Sequence, residues 1–317
     1  MKFKLGYVAI SRTLEEIMHF HTMTYTSYQK SDPKKAQLKL DHIIKENLKT
    51  LLNILIYNIK NEIFFYRISH HIIPLATHPE VEFDYITPYL KEWQNIGKYI
   101  QRHKIRVDSH PDQFCVLNSI HKTIVENSIK ILEFNYQIFQ AMQIDGKVIL
   151  HIGSGKETKE EAKARFKENF KKLRPELQNM IILENDDRIF NIIDVLELCE
   201  ELNIPFVLDY HHYRCNHGQE RLTDYLPRIF ATWANSTTNY LPKIHFSSPK
   251  NQKEKRTHST YIVLKDFLKF LNIIKAYQQD LDIMLECKGK DEALFRLSRQ
   301  LKTISNIKSF NNTTFEI

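Results

Sequence analysis

The sequence is short of most features that would sort it quickly. Its four cysteines, Cys115, Cys199, Cys215 and Cys287, form no CxxC pair, which excludes a zinc ribbon and offers no disulfide framework. Glycine (7) and proline (10) are scarce in 317 residues. No stretch rich in glycine, serine or proline divides the chain, so one domain over residues 1–317 is expected. No segment is apolar for long enough to cross a bilayer, and the apolar run 5–10, broken by Ser11-Arg12, is no secretory leader. A membrane is therefore not an expected partner, and a reducing cytoplasm is the expected compartment. A phosphate loop is lacking too. Gly153-Ser154-Gly155-Lys156 imitates one but has no glycine five positions before Gly155 and no Ser or Thr after the lysine.

What is present begins with a 42% apolar fraction, ample for a large core and incompatible with a mainly disordered chain. The net charge of +7 suits a polyanionic partner, although the basic residues are scattered among acids. Short apolar runs at 3–9, 63–68, 105–109, 147–150, 180–183, 206–209, 242–246 and 281–285 read as strands. Helical patterns separate them. One opens at Asp32-Pro33, a cap followed by a first-turn proline, and carries Leu40, Ile43, Ile44, Leu48, Leu51, Leu52, Leu55, Ile56 and Ile59 on one face. Another opens at a Thr158/Glu161 capping box. Strict alternation argues for a parallel sheet under helices, and eight units argue for closure. The expected fold is a (β/α)8 TIM barrel. The polar tail from about residue 305 is expected to be loosely held.

A barrel of this kind builds its site from the carboxyl ends of its strands. The residues at that phase are His78, His110, His151, Glu184, Asp209, His212, His245, His258 and Glu286. Each alone is as well explained by a hydrogen-bonded loop or core position. Nine at one phase converge on a single mouth, and all are metal-ligand types. Four such ligands hold one metal, so nine imply two or three divalent ions with water completing their shells. Clustered ions suit in-line displacement at phosphorus, one generating hydroxide and another steadying the leaving oxygen. A lone ion suits sugar isomerisation, the main competing chemistry on this fold. Lys243 shares a strand face with His245. It is either a buried lysine paired with a carboxylate or a carboxylated lysine that joins the metal site. Glu184, His245, Glu286 and Lys243 are the residues expected at the reacting centre.

Taken together the motifs resemble the ultraviolet damage endonuclease family. They are Gly6-Tyr7, Arg67-Ile68 with His71 and Ile73-Pro74, Thr77-His78-Pro79, His110-Pro111 with Gln113, and Leu150-His151-Ile152-Gly153. Leu183-Glu184-Asn185-Asp186, Asp209 with His212, Lys243-Ile244-His245, and Glu286-Cys287-Lys288-Gly289-Lys290 complete the ordered set. The resemblance implies a nuclease holding three divalent metals on the nine residues above, usually manganese, with magnesium, cobalt or zinc as alternatives. It implies damaged double-stranded DNA as the partner, nicked immediately 5′ of cyclobutane pyrimidine dimers and 6-4 photoproducts to leave a 3′-hydroxyl and a 5′-phosphate. It also implies modification of Lys243. Gln113-Phe114 matches a pair that probes the duplex; phenylalanine stacks but lacks the hydroxyl of the more usual tyrosine. Tyr7 and Ser11 are expected near the lesion (Ser11 where some members carry asparagine). Lys288 and Lys290, with Lys250, Lys253, Lys255 and Arg256, are candidates for holding phosphates. A monomer is expected. The alternatives are an abasic-site endonuclease or a metal-dependent sugar isomerase on the same barrel, and a catalytically silent damage-binding protein.

Overall fold

A computed structural model describes residues 1–111 and 114–317 of the chain. Eight parallel strands follow one another around a closed sheet: β1 (Lys2–Ala9), β2 (Phe65–Ile68), β3 (Arg106–Ser109), β4 (Lys147–His151), β5 (Ile181–Glu184), β6 (Phe206–Asp209), β7 (Lys243–Phe246) and β8 (Leu281–Leu285). The ring closes where β1 meets β2, from Tyr7 opposite Tyr66 to Ala9 opposite Ile68, and where β8 meets β1, from Phe3 opposite Leu281. This is the (β/α)8 barrel that the alternation implies. Among the described residues no helix is long and apolar enough to cross a membrane.

The helices start where the side chains dictate. Asp32 accepts a hydrogen bond from the Lys35 amide at 3.1 Å, and Pro33 opens the helix Pro33–Lys60. Its inward face buries Leu40, Leu51 and Leu55 completely, each contributing about 2 kcal/mol of apolar burial. The Thr158/Glu161 box closes in both directions at the start of the helix Lys159–Lys172.

Strand periodicity then decides which side chains reach the barrel interior. On β4 through β6, Ile149, Ile182 and Val207 form a buried cluster with Trp233. One step further along, the same parity delivers His151, Glu184 and Asp209 to the strand ends. The opposite parity, Leu150, Leu183 and Leu208, packs under the helices in the main core. Low in the barrel Arg106 lies over the rings of Phe65, Trp233 and Tyr240 and pairs with Asp282 at 2.7 Å.

The tail is not loose, and that expectation is corrected. Strands β9 (Lys308–Ser309) and β10 (Thr314–Glu316) extend the sheet, with β10 antiparallel to β1 from Lys2 opposite Glu316 to Lys4 opposite Thr314. The reason lies in β1, whose first residues precede the start of its pairing with β2 and would leave a bare edge. Phe315 is fully buried there and stacks on Phe3 at 5.6 Å.

Candidate metal centre

Glu184, the last residue of β5, is buried and sits among four imidazoles. Its Oε2 lies 3.0 Å from His110 Nε2 and 3.7 Å from His151 Nε2. Its Oε1 lies 2.8 Å from His245 Nδ1 and 3.4 Å from His212 Nδ1. Glu286, just past β8, reaches the same His245 nitrogen at 3.1 Å. Two groups result whose ligand atoms lie within 4.8 Å of one another: His110, His151 and Glu184, and Glu184, Asp209, His245 and Glu286. Beside them a cavity of about 540 Å³ opens between His110, His151, Asp186, Asp187 and His212.

The hydrogen bonds of the histidines bear on what these groups can hold. Nδ1 of His110 faces the Pro111 carbonyl at 2.8 Å, and Nδ1 of His151 faces that of Glu184 at 3.3 Å. Nδ1 of His212 faces the Asn185 carbonyl at 2.9 Å, and Nδ1 of His258 faces that of Glu286 at 2.5 Å. A carbonyl only accepts, so each Nδ1 carries a proton, and a ring that is neutral, as a metal ligand must be, keeps its lone pair on Nε2. This is how ligating histidines are fixed by their outer partners. For His110 it leaves an Nε2 lone pair 3.0 Å from a carboxylate oxygen, an approach that a shared cation or proton must relieve. For His212, burial is outweighed by Asp209 and Glu184, which favour the charged ring until a metal replaces its second proton. Asp209 is also under-partnered. Its Oδ1 accepts from the His212 amide at 2.7 Å, while its buried Oδ2 has no hydrogen-bond partner. The donor set and the orphaned oxygen fit divalent metal.

The titration behaviour follows this crowding. Burial would raise Glu184, but the surrounding imidazoles of His245, His151, His110 and His212 hold it well below the usual carboxylate range. Asp209 goes the other way: burial, with Glu184 and Glu286 nearby, pushes it well up, opposed mainly by His212. Burial lowers His245 to about 4 despite the same carboxylates. Beneath the cluster, Lys243 is buried and ion-paired to Asp108 Oδ2, the first of its two readings. Burial brings its amine down to about 7, only partly offset by Asp108.

Side-chain amides hold the strand ends together. The pairing of β5 with β6 ends at Glu184 opposite Val207. Beyond it the Asn185 side chain donates to the Asp209 carbonyl at 3.0 Å and accepts from the Asp209 amide at 2.9 Å.

The remaining expected site residues fall in several places. His258 contacts the Glu286 backbone and its ring lies 6.1 Å from that of His212. His78 stands outside both metal-capable groups: it stacks on Tyr25 at 4.1 Å, and its Nδ1 accepts from the Glu80 amide at 3.3 Å. The expectation that Tyr7 lines a lesion pocket is corrected. Tyr7 shares the parity of Phe3 and Leu5, faces the helix layer, is fully buried, and donates to Asn58 Oδ1 at 2.7 Å. Tyr7→Phe is therefore expected to cost about 1–2 kcal/mol of stability in denaturant unfolding while leaving any nicking rate unchanged. Ser11 is corrected likewise, since its hydroxyl donates to Asp291 at 2.7 Å and accepts from the Leu14 amide at 3.3 Å inside the fold.

Phe114 is 68% exposed, on the loop after β3, while Gln113 lies outside the described residues. Lys288 is exposed. Lys290 is half-buried in a left-handed conformation (φ 48°), and burial lowers its amine against the pull of Glu286. Lys250 is tied to Glu254 at 2.7 Å, and Arg256 donates to the Asp187 carbonyl at 3.1 Å. Two site residues lay outside the ligand set read from the sequence, Arg67 and Asp108. Their signal was strand parity: both are charged, and both point inward from β2 and β3, in register with each other.

A parallel barrel with imidazoles and carboxylates gathered at its strand exits is the frame of a barrel enzyme with a candidate metal centre. Residues 3–316 match the UV-endonuclease UvdE family. A UV DNA damage endonuclease of Bacillus cereus (strain B4264) is 42% identical over the full length of both chains. The crystal structure of SacUVDE superposes with a TM-score of 0.85 at 31% identity, covering 95% of this chain and 98% of that one. Endonuclease IV from Thermus thermophilus shares the fold, with a TM-score of 0.55 at 14% identity over 81% of this chain and 96% of that one. The chain belongs to the UV-endonuclease UvdE family, and is thereby an endonuclease of DNA repair.

Proposed function

We propose that this endonuclease nicks double-stranded DNA immediately 5′ of ultraviolet photoproducts, cyclobutane pyrimidine dimers and 6-4 photoproducts, leaving a 3′-hydroxyl and a 5′-phosphate. The observation that carries the metal-dependent part is the set of fixed tautomers: Nε2 lone pairs of His110, His151, His212 and His258 around the buried carboxylates Glu184 and Asp209 and the half-buried Glu286. The mixed nitrogen and oxygen donors suit manganese, and the donor number suits three ions. Bound there, divalent ions supply hydroxide at neutral pH and charge stabilisation at the leaving oxygen. The chain's own residues do the rest. Lys288 and Lys290 meet the phosphates beside Glu286, and the buried carboxylates keep bulk water from their ligand faces.

Lesion choice is assigned to cheap extrusion. A dimerised pyrimidine pair stacks and pairs poorly, so taking it out of the duplex costs less than the few kcal/mol needed for intact bases. Phe114 is flanked by Pro111 and Cys115, which line the mouth cavity, and offers an exposed ring to fill the gap.

The test is nicking of irradiated supercoiled plasmid, with and without chelator, beside unirradiated and abasic plasmid. Selective, chelator-sensitive nicking of the irradiated plasmid is expected, with Phe114→Ala lowering the preference about tenfold, as loss of one stacking contact of 1–3 kcal/mol would. Equal nicking of irradiated and unirradiated plasmid removes the claimed selectivity.

A further inference from the structure

Arg67 takes no part in the ligand set, yet it touches two of its members and a third buried carboxylate. Its Nη1 lies 2.6 Å from Glu286 Oε1 and its Nη2 lies 2.7 Å from His245 Nε2. The Glu286 oxygen, held by charge at this close approach without a well-aligned hydrogen bond, is the one that also faces His245 Nδ1 at 3.1 Å. The guanidinium therefore occupies two of the four residues in the acidic group of Glu184, Asp209, His245 and Glu286. Arginine donates only, so a ring nitrogen at 2.7 Å must accept. The proton of His245 is then on Nδ1, the nitrogen that faces Glu184 and Glu286.

The opposite side of Arg67 is slack. Its Nε is buried without a hydrogen-bond partner and lies 3.5 Å from Asp108 Oδ1, itself buried without one. Donor and acceptor are thus ion-paired without a hydrogen bond, one short side-chain shift from making it. The other oxygen of Asp108 is taken by Lys243, so the vacant one is available to Arg67 alone of the two cations.

We propose that Arg67 is a displaceable counter-cation of the metal centre. Without metal, it neutralises Glu286 and positions His245 as a cation would. When metal takes those two ligands, Arg67 withdraws onto Asp108. Buried carboxylates are costly unless compensated, and this exchange keeps the floor of the site compensated in both states. Arg67 and metal then compete directly for the Glu286 oxygen and, at His245, through its tautomer, since metal on Nδ1 sends the ring proton to the Nε2 that faces the arginine. Removing the arginine should tighten metal binding while weakening the metal-free fold. A merely structural arginine would weaken both. The inference rests on the metal-centre reading given above.

The test compares wild type, Arg67→Met and Arg67→Lys after chelation, by Mn2+ titration followed calorimetrically and by the electron paramagnetic resonance of bound Mn2+. Thermal melting of the metal-free proteins runs alongside. Arg67→Met is expected to bind Mn2+ at least tenfold more tightly than wild type and to melt lower without metal. Arg67→Lys, which keeps the charge but cannot span two acceptors, should bind at an intermediate strength. Unchanged or weaker Mn2+ binding in either variant overturns the proposal. Should Arg67→Met fail to fold without metal, the lysine variant decides alone. Failure of wild type to bind Mn2+ removes the metal-centre reading and with it the competition; wild-type binding that no Arg67 variant alters removes the competition only.

Discussion

Glu184→Gln should reduce nicking of irradiated plasmid by about a thousandfold, equivalent to roughly 4 kcal/mol of transition-state stabilisation. Both oxygens of this carboxylate face imidazole nitrogens, and the residue belongs to both metal-capable groups. Glutamine has the same shape but carries no charge and offers one acceptor oxygen where the two metal-capable groups share a carboxylate. The cost is therefore in charge, with packing left intact. Far-ultraviolet circular dichroism should be unchanged, and bound Mn2+ should fall. Activity within tenfold of wild type would take Glu184 out of the reacting centre.

Asp209→Asn should do the reverse for stability. Asparagine can still accept from the His212 amide and cap the short helix Tyr210–Cys215, as Asp209 does. What disappears is a buried charge with one oxygen unpartnered. The native carboxyl is pushed above its unfolded value, so its contribution to stability is complete below the unfolded pKa and is lost as pH rises through the native one. At pH 7 the wild-type metal-free protein bears that penalty and the variant does not. Metal-free Asp209→Asn should be more stable by on the order of 2–3 kcal/mol, with the gap closing as pH falls toward about 4. Glu184, Asp108 and Glu286 titrate in both proteins, so the difference reports Asp209 together with the neighbours its charge acts on. Nicking and Mn2+-induced stabilisation should both drop, by about 100-fold or more in affinity terms. A variant less stable than wild type at pH 7 without metal would mean that Asp209 is compensated within the protein.

Most of this centre was legible because strand ends are short-range objects. His151, Glu184, Asp209 and His245 each terminate or nearly terminate a run whose apolar residues mark it as a buried strand. Parallel direction then carries them to one rim. Tyr7 was misplaced because being near a strand exit says nothing about which face a side chain takes; counting parity from Phe3 would have turned it toward the helices. His78 belongs to a loop whose course depends on tertiary packing, here stacking on Tyr25 from a distant segment. Arg67 was visible only as a motif member and Asp108 only as part of a strand, since their meaning depends on register across β2 and β3. The tail escaped because its partner edge exists only after β1 has paired unequally with its two neighbours.

The amide of Asn185 has a mechanical consequence. By bonding both the carbonyl and the amide of Asp209 it adds a rung where the backbone ladder has already stopped. Glu184 and Asp209 are thus carried on one rigid plate, and breathing at that seam must break two bonds together. The gap between these two carboxylates should therefore hold its width as DNA is bound.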